Sequence, residues 1–473
     1  MKSPRLLVNG EWITTGAWLS VSDPFSGAQI AQVPLGDAQT IESAIASAVA
    51  AFVEARRTSP HVRATRLAAI ARGIEARKAE FADTILQEAG KPIVYAEAEV
   101  NRAIITFTVA AEEARRQHGE VLAMDAFATG EGHFGFTGRF PIGVIAGITP
   151  FNFPLNLVAH KVAPALASGN CIIVKPAPKC PLTALLLAEV IVEAGVPAGQ
   201  VNVITCKNED AMRLVTDERI AMVSFTGSPA VGWPIKSQAG KKKVVLELGG
   251  NAAVIVHADA DLETAIPMIA TGGFAYAGQT CISVQRVLVH EKIYDAFRER
   301  FVAHVREKVR LGDPRDRATV IGPMISADAA ARTRTNIISA VAAGARFALE
   351  SKSEGAQLGA MILEDVPLDH VASTCELFAP VVTLHRYRDF DDALAIANDS
   401  TFGLQAGVFT RDLNLALRAH QRLDVGAVLI NQIPMFRVEN MPYGGIKDSG
   451  FGREGIRYAM EEMTEIKSLI IRQ

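Results

Sequence analysis

The sequence predicts an α/β protein built from two doubly wound parallel sheets with a small β arm. Three observations predict it. Apolar, strand-length runs alternate with helical segments from Ile142 onward. The alternation restarts after Gly249-Gly250. The tail Glu465–Ile471 alternates like an edge strand. Strands that take turns with helices form βαβ units, and βαβ units make parallel sheets.

Residues 38–118 read as helical, because Glu42–Arg57 and Val62–Glu88 carry apolar residues at helical spacing. Gly90-Lys-Pro92 is a stop between helices. Glu120–Phe140, with several Gly and Phe, reads as an irregular projecting arm. Strands are expected at Ile142–Ile148, Cys171–Val174, Val201–Thr205, Met222–Phe225 and Lys243–Leu246. Helices are expected between them at Leu155–Ala167, Leu182–Ala194 and Ala230–Ala239. The second series has strands Ala252–Val256, Val287–His290 and Val381–His385, with helices Leu262–Ala275, Ile293–Lys308 and Asp391–Ala397.

A chain of 473 residues holds about two or three domains. The expected limits are 1–119 with 142–249 for the first sheet, 250–446 for the second, and 120–141 with 460–473 for the arm. At 49% hydrophobic and 21% charged, the composition is that of an ordinary soluble domain. A net charge of -3 without basic blocks points away from nucleic acid and membrane surfaces. Met1–Trp12 has no sustained apolar core, and no run suffices to span a bilayer. The five cysteines are widely spaced with no CxxC, which predicts a reducing, cytoplasmic setting and no disulfide framework. The histidines show no metal-ligand spacing, so no metal is expected.

Cys281 follows the small-residue turn Gly278-Gln279-Thr280. A loop cysteine near a helix start or a cation is a candidate thiolate nucleophile. Free cysteines are more often buried packing residues. Cys171, Cys180, Cys206 and Cys375 are assigned that role. Glu247 ends the apolar run Val244–Gly250. Poor solvent there raises its pKa toward the general-base range. The competing reading, a strand-end glutamate turned to water, is weakened by the two following glycines, which permit close approach of a backbone or ligand. Asn152, between Phe151 and Phe153 and flanked by Pro150 and Pro154, is either an oxyanion donor or an ordinary turn residue. Phe225–Gly232 follows a strand and opens a helix, a weak pyrophosphate signal without GxGxxG. Lys175 ends a strand at the edge where sheet-bound ligands dock.

Together Thr149-Pro-Phe-Asn-Phe-Pro154, Val174-Lys-Pro176, Phe225-Thr-Gly-Ser228, Glu247-Leu-Gly-Gly250, Gly278-Gln-Thr-Cys281, Glu376-Leu-Phe378 and the Met441–Glu454 tail resemble the aldehyde dehydrogenase superfamily. The resemblance covers nearly the whole chain, with seven motifs in the family's order. It implies an aldehyde dehydrogenase-like fold, NAD or NADP as cofactor, an aldehyde as substrate and a homodimer or homotetramer. It makes Cys281 the nucleophile, Glu247 the base for the hydrolytic water, and Asn152 with the Cys281 N–H the oxyanion hole. Lys175 would hold the adenine-side ribose, Glu376 the nicotinamide ribose with Phe378 nearby, and Ser228 the pyrophosphate. Thr149, Pro150, Pro178, Gly227, Gly232, Leu248 and Gly249 complete the implied cofactor side.

Three departures stand out. Pro178 takes the place where many NAD-preferring members have Glu, so a 2′-phosphate is not repelled, and the next residue, Lys179, is available to attract it. Ala379 replaces a usual Gly, and Tyr443 a frequent Phe. The tail and the Lys175–Pro181 segment look like the branch of lactaldehyde, phosphonoacetaldehyde and non-phosphorylating glyceraldehyde-3-phosphate dehydrogenases. A small polar or anionic aldehyde is therefore expected, with Arg102, His160 and Arg437 as anion-binding candidates beside Phe153, Thr280, Ile282 and Phe436. Two rival functions remain: a CoA-acylating semialdehyde dehydrogenase, against which Glu247 argues, and a non-catalytic protein that kept the fold.

Overall fold

Buried five- to seven-residue runs rich in Val and Ile become the central strands, as expected for strands covered on both faces. The computed structural model describes residues 4–473. The first three residues of the expected 1–119 segment lie outside the described residues. An eight-stranded sheet has the spatial order Glu11–Ile13, Leu6–Val8, Val201–Val203, Cys171–Lys175, Val144–Ile148, Ile220–Thr226, Lys243–Glu247, Gly450–Phe451. Its central strands are parallel and in register. Lys175 faces Ile148, Ile148 faces Phe225, and Thr226 faces Glu247. Four carboxyl ends therefore finish flush.

The second sheet orders Arg346–Leu349, Met361–Glu364, Val381–Tyr387, Val284–His290, Ala252–Val256, Gln405–Phe409 and Ala427–Ile430. All neighbours are parallel except the antiparallel edge strand Arg346–Leu349. The strand Gly450–Phe451 returns to pair with Leu246 and Glu247 of the first sheet, so the chain crosses between the two layers twice.

Three expectations need correction. The segment Val62–Glu88 is two helices, Pro60–Ala76 and Lys78–Ala89, broken at Arg77 with φ -109° and ψ 21°. No Gly or Pro marks that break, so periodicity alone runs through it. The arm is irregular only in its first half. His133–Pro141 is a nine-residue strand paired antiparallel with Thr464–Arg472, and Val121–Leu122 adds a third strand. Cys375 is exposed just after the short helix Val371–Thr374, whereas Cys171, Cys180 and Cys206 are buried. The helices Asn208–Thr216, Ala327–Ala342 and Leu413–Arg422 and the amino-terminal strands were not read from the sequence.

Candidate active site

Helix Asn156–Ser168 has no side-chain cap of its own. Glu99, from helix Ile93–Glu113, supplies one. Its Oε1 accepts the N–H groups of Leu155 and Asn156 at 2.9 and 3.0 Å. A carboxylate at a helix start satisfies orphan donors and the helix dipole. Lys91 pairs with the other oxygen of Glu99, and its ammonium lies 3.8 Å from the Phe153 ring centre and 4.5 Å from that of Tyr276. This buried pair fixes the turn that carries Asn152. The Asn152 Nδ2 donates to the Gln279 carbonyl at 3.0 Å, which leaves its second N–H free.

The Cys281 turn is strained in a specific way. After helix Leu262–Phe274, Tyr276, Ala277 and Gly278 adopt φ of 53°, 55° and 65°. Left-handed backbone is uncommon for non-glycine residues. Burial of Tyr276 and its O–H donation to the Ala89 carbonyl at 3.3 Å hold it there. A Cβ on Gly250 would sit 2.1 Å from the Cys281 carbonyl oxygen, and one on Gly249 2.6 Å from Glu376 Oε2. The two glycines therefore admit the Cys281 backbone and the Glu376 carboxylate.

Glu247 is 3% exposed and neither carboxylate oxygen has a partner among the described residues, so it does not face water. Burial, then Glu454, pushes its pKa well above the usual range, while Arg437 and Lys161 oppose. Burial pushes the Cys281 thiol up to about 12, partly offset by a hydrogen bond with Tyr443 Oη at 3.1 Å. The Cys281 N–H has no acceptor among the described residues. Burial raises Glu376 to about 7, and its Oε1 accepts from the Gly250 N–H at 2.9 Å.

One cavity of about 590 Å³ brings most candidates together. Cys281, Glu247 and Asn152 line it. So do Pro150, Gly227, Ser228, Leu248, Gly249, Glu376 and Phe378, and so do Arg102, Phe153, Thr280, Ile282 and Arg437.

Six candidates lie off that wall. Phe436 is 43% exposed: it closes a turn by donating its N–H to the Ile433 carbonyl at 3.1 Å, and its neighbours Met435 and Arg437 line the cavity instead. Buried His160 sits behind the wall; its Nδ1 accepts from Arg437 Nη2 at 3.2 Å. Arginine only donates, so the imidazole proton is on Nε2, and burial with Arg437 lowers the pKa and keeps the ring neutral. Nε2 lies 2.7 Å from Glu439 Oε2, at an angle too bent for a full hydrogen bond. Gly232 packs its helix on Leu248, where a Cβ would come within 2.4 Å. Lys175 ends one strand of the first sheet and Thr149 directly follows the neighbouring one, and Lys175 Nζ donates to Asn208 Oδ1 at 2.7 Å. Pro178 is half-buried. Lys179 is exposed and lines a separate cavity with Asp23, Gly27 and Ser326.

Glu439, Glu454, Lys161 and Lys91 were not singled out from the sequence. Lys161 carried a usable signal: a lysine inside the apolar helix Asn156–Ser168 needs a buried partner. It finds Glu454 Oε1 at 3.1 Å and the hydroxyls of Ser224 and Thr226. The others reach the site from remote stretches of chain.

The residues fit a dinucleotide. Thr149 Oγ1 is buried without a partner, and the Ser228 side chain makes no bond to the helix Pro229–Gln238 that it opens. Both stand at the carboxyl ends of the adjacent strands Val144–Ile148 and Ile220–Thr226, where the strand order reverses.

The model of the aldehyde dehydrogenase family matches residues 12–469. The chain is 42% identical over 472 residues to 3-sulfolactaldehyde dehydrogenase of Priestia megaterium, covering 100% of this chain and 98% of that protein. Aldehyde dehydrogenase 21 from Physcomitrella patens, solved with the reaction product succinate, superposes with a TM-score of 0.98 at 41% identity, covering 100% of this chain and 98% of that one. Glyceraldehyde-3-phosphate dehydrogenase GapN from Methanocaldococcus jannaschii, complexed with NADP, gives 0.93 at 39% identity, covering 97% and 100%. The chain belongs to the aldehyde dehydrogenase family.

Proposed function

We propose that the enzyme oxidises a small, polar or anionic 2-hydroxyaldehyde to its carboxylic acid, with NAD or NADP as oxidant. The observation that carries this reading is the shared cavity, in which a thiol, an unpartnered buried carboxylate and an amide donor stand beside the guanidinium groups of Arg102 and Arg437. Two relatives above carry a 2-hydroxyaldehyde in their names, 3-sulfolactaldehyde and glyceraldehyde-3-phosphate, whereas the succinate product of the third supports only a small anionic aldehyde. The cofactor, held by Thr149, Lys175, Ser228 and Glu376, supplies the hydride acceptor.

The remaining steps belong to this chain. Cys281 adds its sulfur to the aldehyde carbon. The Asn152 Nδ2 and the Cys281 N–H receive the oxyanion. Glu247 takes a proton from the water that cleaves the resulting thioester. CoA acylation is disfavoured by the presence of that base. Asn152→Ala is expected to lower kcat by roughly 10²–10³-fold, the usual cost of losing one oxyanion donor. Steady-state kinetics with glycolaldehyde check it, and a near-normal kcat removes the oxyanion role.

Arg102 donates to Glu439 Oε1 through Nε and Nη2, both at 3.0 Å, which leaves Nη1 on a side chain 30% exposed at the cavity wall. Arg102→Ala is expected to cut kcat/KM roughly 10- to 100-fold for an anionic aldehyde and far less for neutral glycolaldehyde, because only the anion loses a charge-assisted bond. Phosphonoacetaldehyde against glycolaldehyde provides the comparison; equal losses remove the anion subsite. His160 supports Arg437 and Glu439 from behind.

Residues 1–119 with 142–249 are read as the cofactor-binding part, 250–446 as the catalytic part, and 120–141 with 460–473 as an oligomerisation arm. The arm ends in the edge strand Thr464–Arg472, whose outer edge has no strand partner among the described residues, with Ile466, Leu469 and Ile470 exposed. An apolar open edge of this kind favours a homodimer or homotetramer. Among the described residues no helix is long and apolar enough to cross a membrane, and the free thiols suit a cytoplasmic setting.

A further inference from the structure

Among the described residues, the Tyr443 phenol is the only group hydrogen-bonded to Cys281 Sγ. It is held from several sides. Tyr443 is 4% exposed and packs with Ile282 and Leu404. Its backbone bridges to Glu454 in both directions, at 3.0 and 2.7 Å. The Arg437 guanidinium lies 3.8 Å from its ring centre, within cation–π range. Burial, then the neighbouring Cys281, pushes the phenol's pKa well above its usual value, whereas the thiol stands at about 12. A thiol is ordinarily the more acidic of the two groups, so the sulfur is taken as the acceptor and the phenol O–H as the donor.

We propose that Tyr443 is a specificity-determining residue that reads the substituent on C2 of the aldehyde, donating its O–H to Cys281 Sγ before addition and to a C2 oxygen after it. The inference rests on the reading of Cys281 as nucleophile. During addition the lone pair of the thiolate, whose proton has already gone to solvent, forms the carbon–sulfur bond. The carbonyl π pair moves onto the carbonyl oxygen. Sulfur is then a thioether, a weak acceptor. The phenol is buried and pinned at the cavity wall, away from bulk solvent, and it loses its protein partner. An oxygen on C2 lies three covalent bonds from Sγ, beside the donor just released. A 2-hydroxyaldehyde restores the bond, while an aldehyde with a bare C2 leaves a buried donor unpaired, which is costly. Sites built to bond a substrate hydroxyl discriminate strongly against analogues that lack it. A phenylalanine in this place, frequent among resembling proteins, has no such donor to satisfy.

The test compares kcat/KM for 2-hydroxypropanal and propanal in the wild type and in Tyr443→Phe. The wild type is expected to favour 2-hydroxypropanal by roughly 10- to 100-fold, and the variant to lose most of that ratio. A wild-type ratio near unity overturns the proposal, whether or not the variant folds. So does a ratio that survives in Tyr443→Phe. Equal losses on both substrates also overturn it, since they place the phenol's effect on the thiol alone. Intact mass of the rapidly quenched wild type keeps the underlying reading separate. An acyl adduct on Cys281 upholds the nucleophile whatever the ratios show, and covalent acylation elsewhere sinks the nucleophile instead.

Discussion

Cys281→Ala is expected to abolish turnover, with kcat falling by at least about 10⁴-fold, because the reaction then has no atom to carry the acyl group. The cavity should persist, since alanine only removes a sulfur whose partner is the Tyr443 phenol. Cofactor binding, followed by fluorescence titration, should therefore survive while reduced cofactor ceases to form. The wild-type thiol also has a readable pH dependence. Burial holds it near 12, so without cofactor most of it is protonated at neutral pH. The thiolate is the reactive form. Alkylation of Cys281 by iodoacetamide should accelerate about tenfold per pH unit from neutral into the alkaline range. Substantial turnover in Cys281→Ala would leave the proposed chemistry without a nucleophile.

Glu247→Gln should separate the two halves of the reaction. The amide matches the carboxylate in shape but cannot accept the water's proton. Acylation and hydride loss need no base at this position, so one equivalent of reduced cofactor per active site should appear as a burst. Hydrolysis should then slow by roughly 10²–10⁴-fold, the range for loss of general-base catalysis. Stopped-flow absorbance and the intact mass of the quenched enzyme report the burst and the Cys281 adduct. The pH sign follows from the direction of the shift. Burial and Glu454 raise the pKa of Glu247, so the base is protonated at lower pH, and wild-type deacylation climbs as pH rises through that elevated value. The Gln variant should lose this limb. A variant with unchanged kcat and no burst would assign the hydrolytic base elsewhere.

The cluster behind the cavity explains why Glu247 has this character. Lys161 and Arg437 both reach Glu454, at 3.1 and 3.5 Å. Two cations are thus partly committed to a neighbouring carboxylate, and Glu247 is left desolvated without a direct partner. Perturbed carboxylates of this kind mark functional sites. The arrangement also bears on Arg437. It was expected as an anion ligand from its charge and a place that should approach the substrate tunnel, yet it divides its contacts among His160, Glu454 and the Tyr443 ring. Arg102, with Nη1 left over and part of its side chain exposed, is the freer of the two.

Local patterning made the strand–helix alternation legible, because buried parallel strands are short apolar runs and helices repeat their apolar face. It also made Cys281, Glu247 and Asn152 candidates, through a small-residue turn, an apolar strand end followed by glycines, and a proline-bounded amide. What depended on partners far along the chain was not legible. The nine-residue strand His133–Pro141 needs Thr464–Arg472 to exist. The break at Arg77 coincides with an ion pair between Arg77 and Glu189 of another helix. Phe436 had suitable chemistry and an adjacent position, and the fold turned it away from the cavity.

The sequence by itself determined the two-sheet α/β class, the family's motifs and the residue types needed for thiol chemistry on a carbonyl. Those follow from periodicity and side-chain chemistry, which are properties of short stretches. Only the tertiary structure decided which groups meet: that Gly250 passes under the Cys281 carbonyl, that Glu247 is buried without a partner among the described residues, that Glu99 caps the helix after the Asn152 turn, and that the Tyr443 hydroxyl ends beside the sulfur. Burial and contact between residues tens to more than a hundred positions apart are set by how whole layers pack, and no local pattern encodes them.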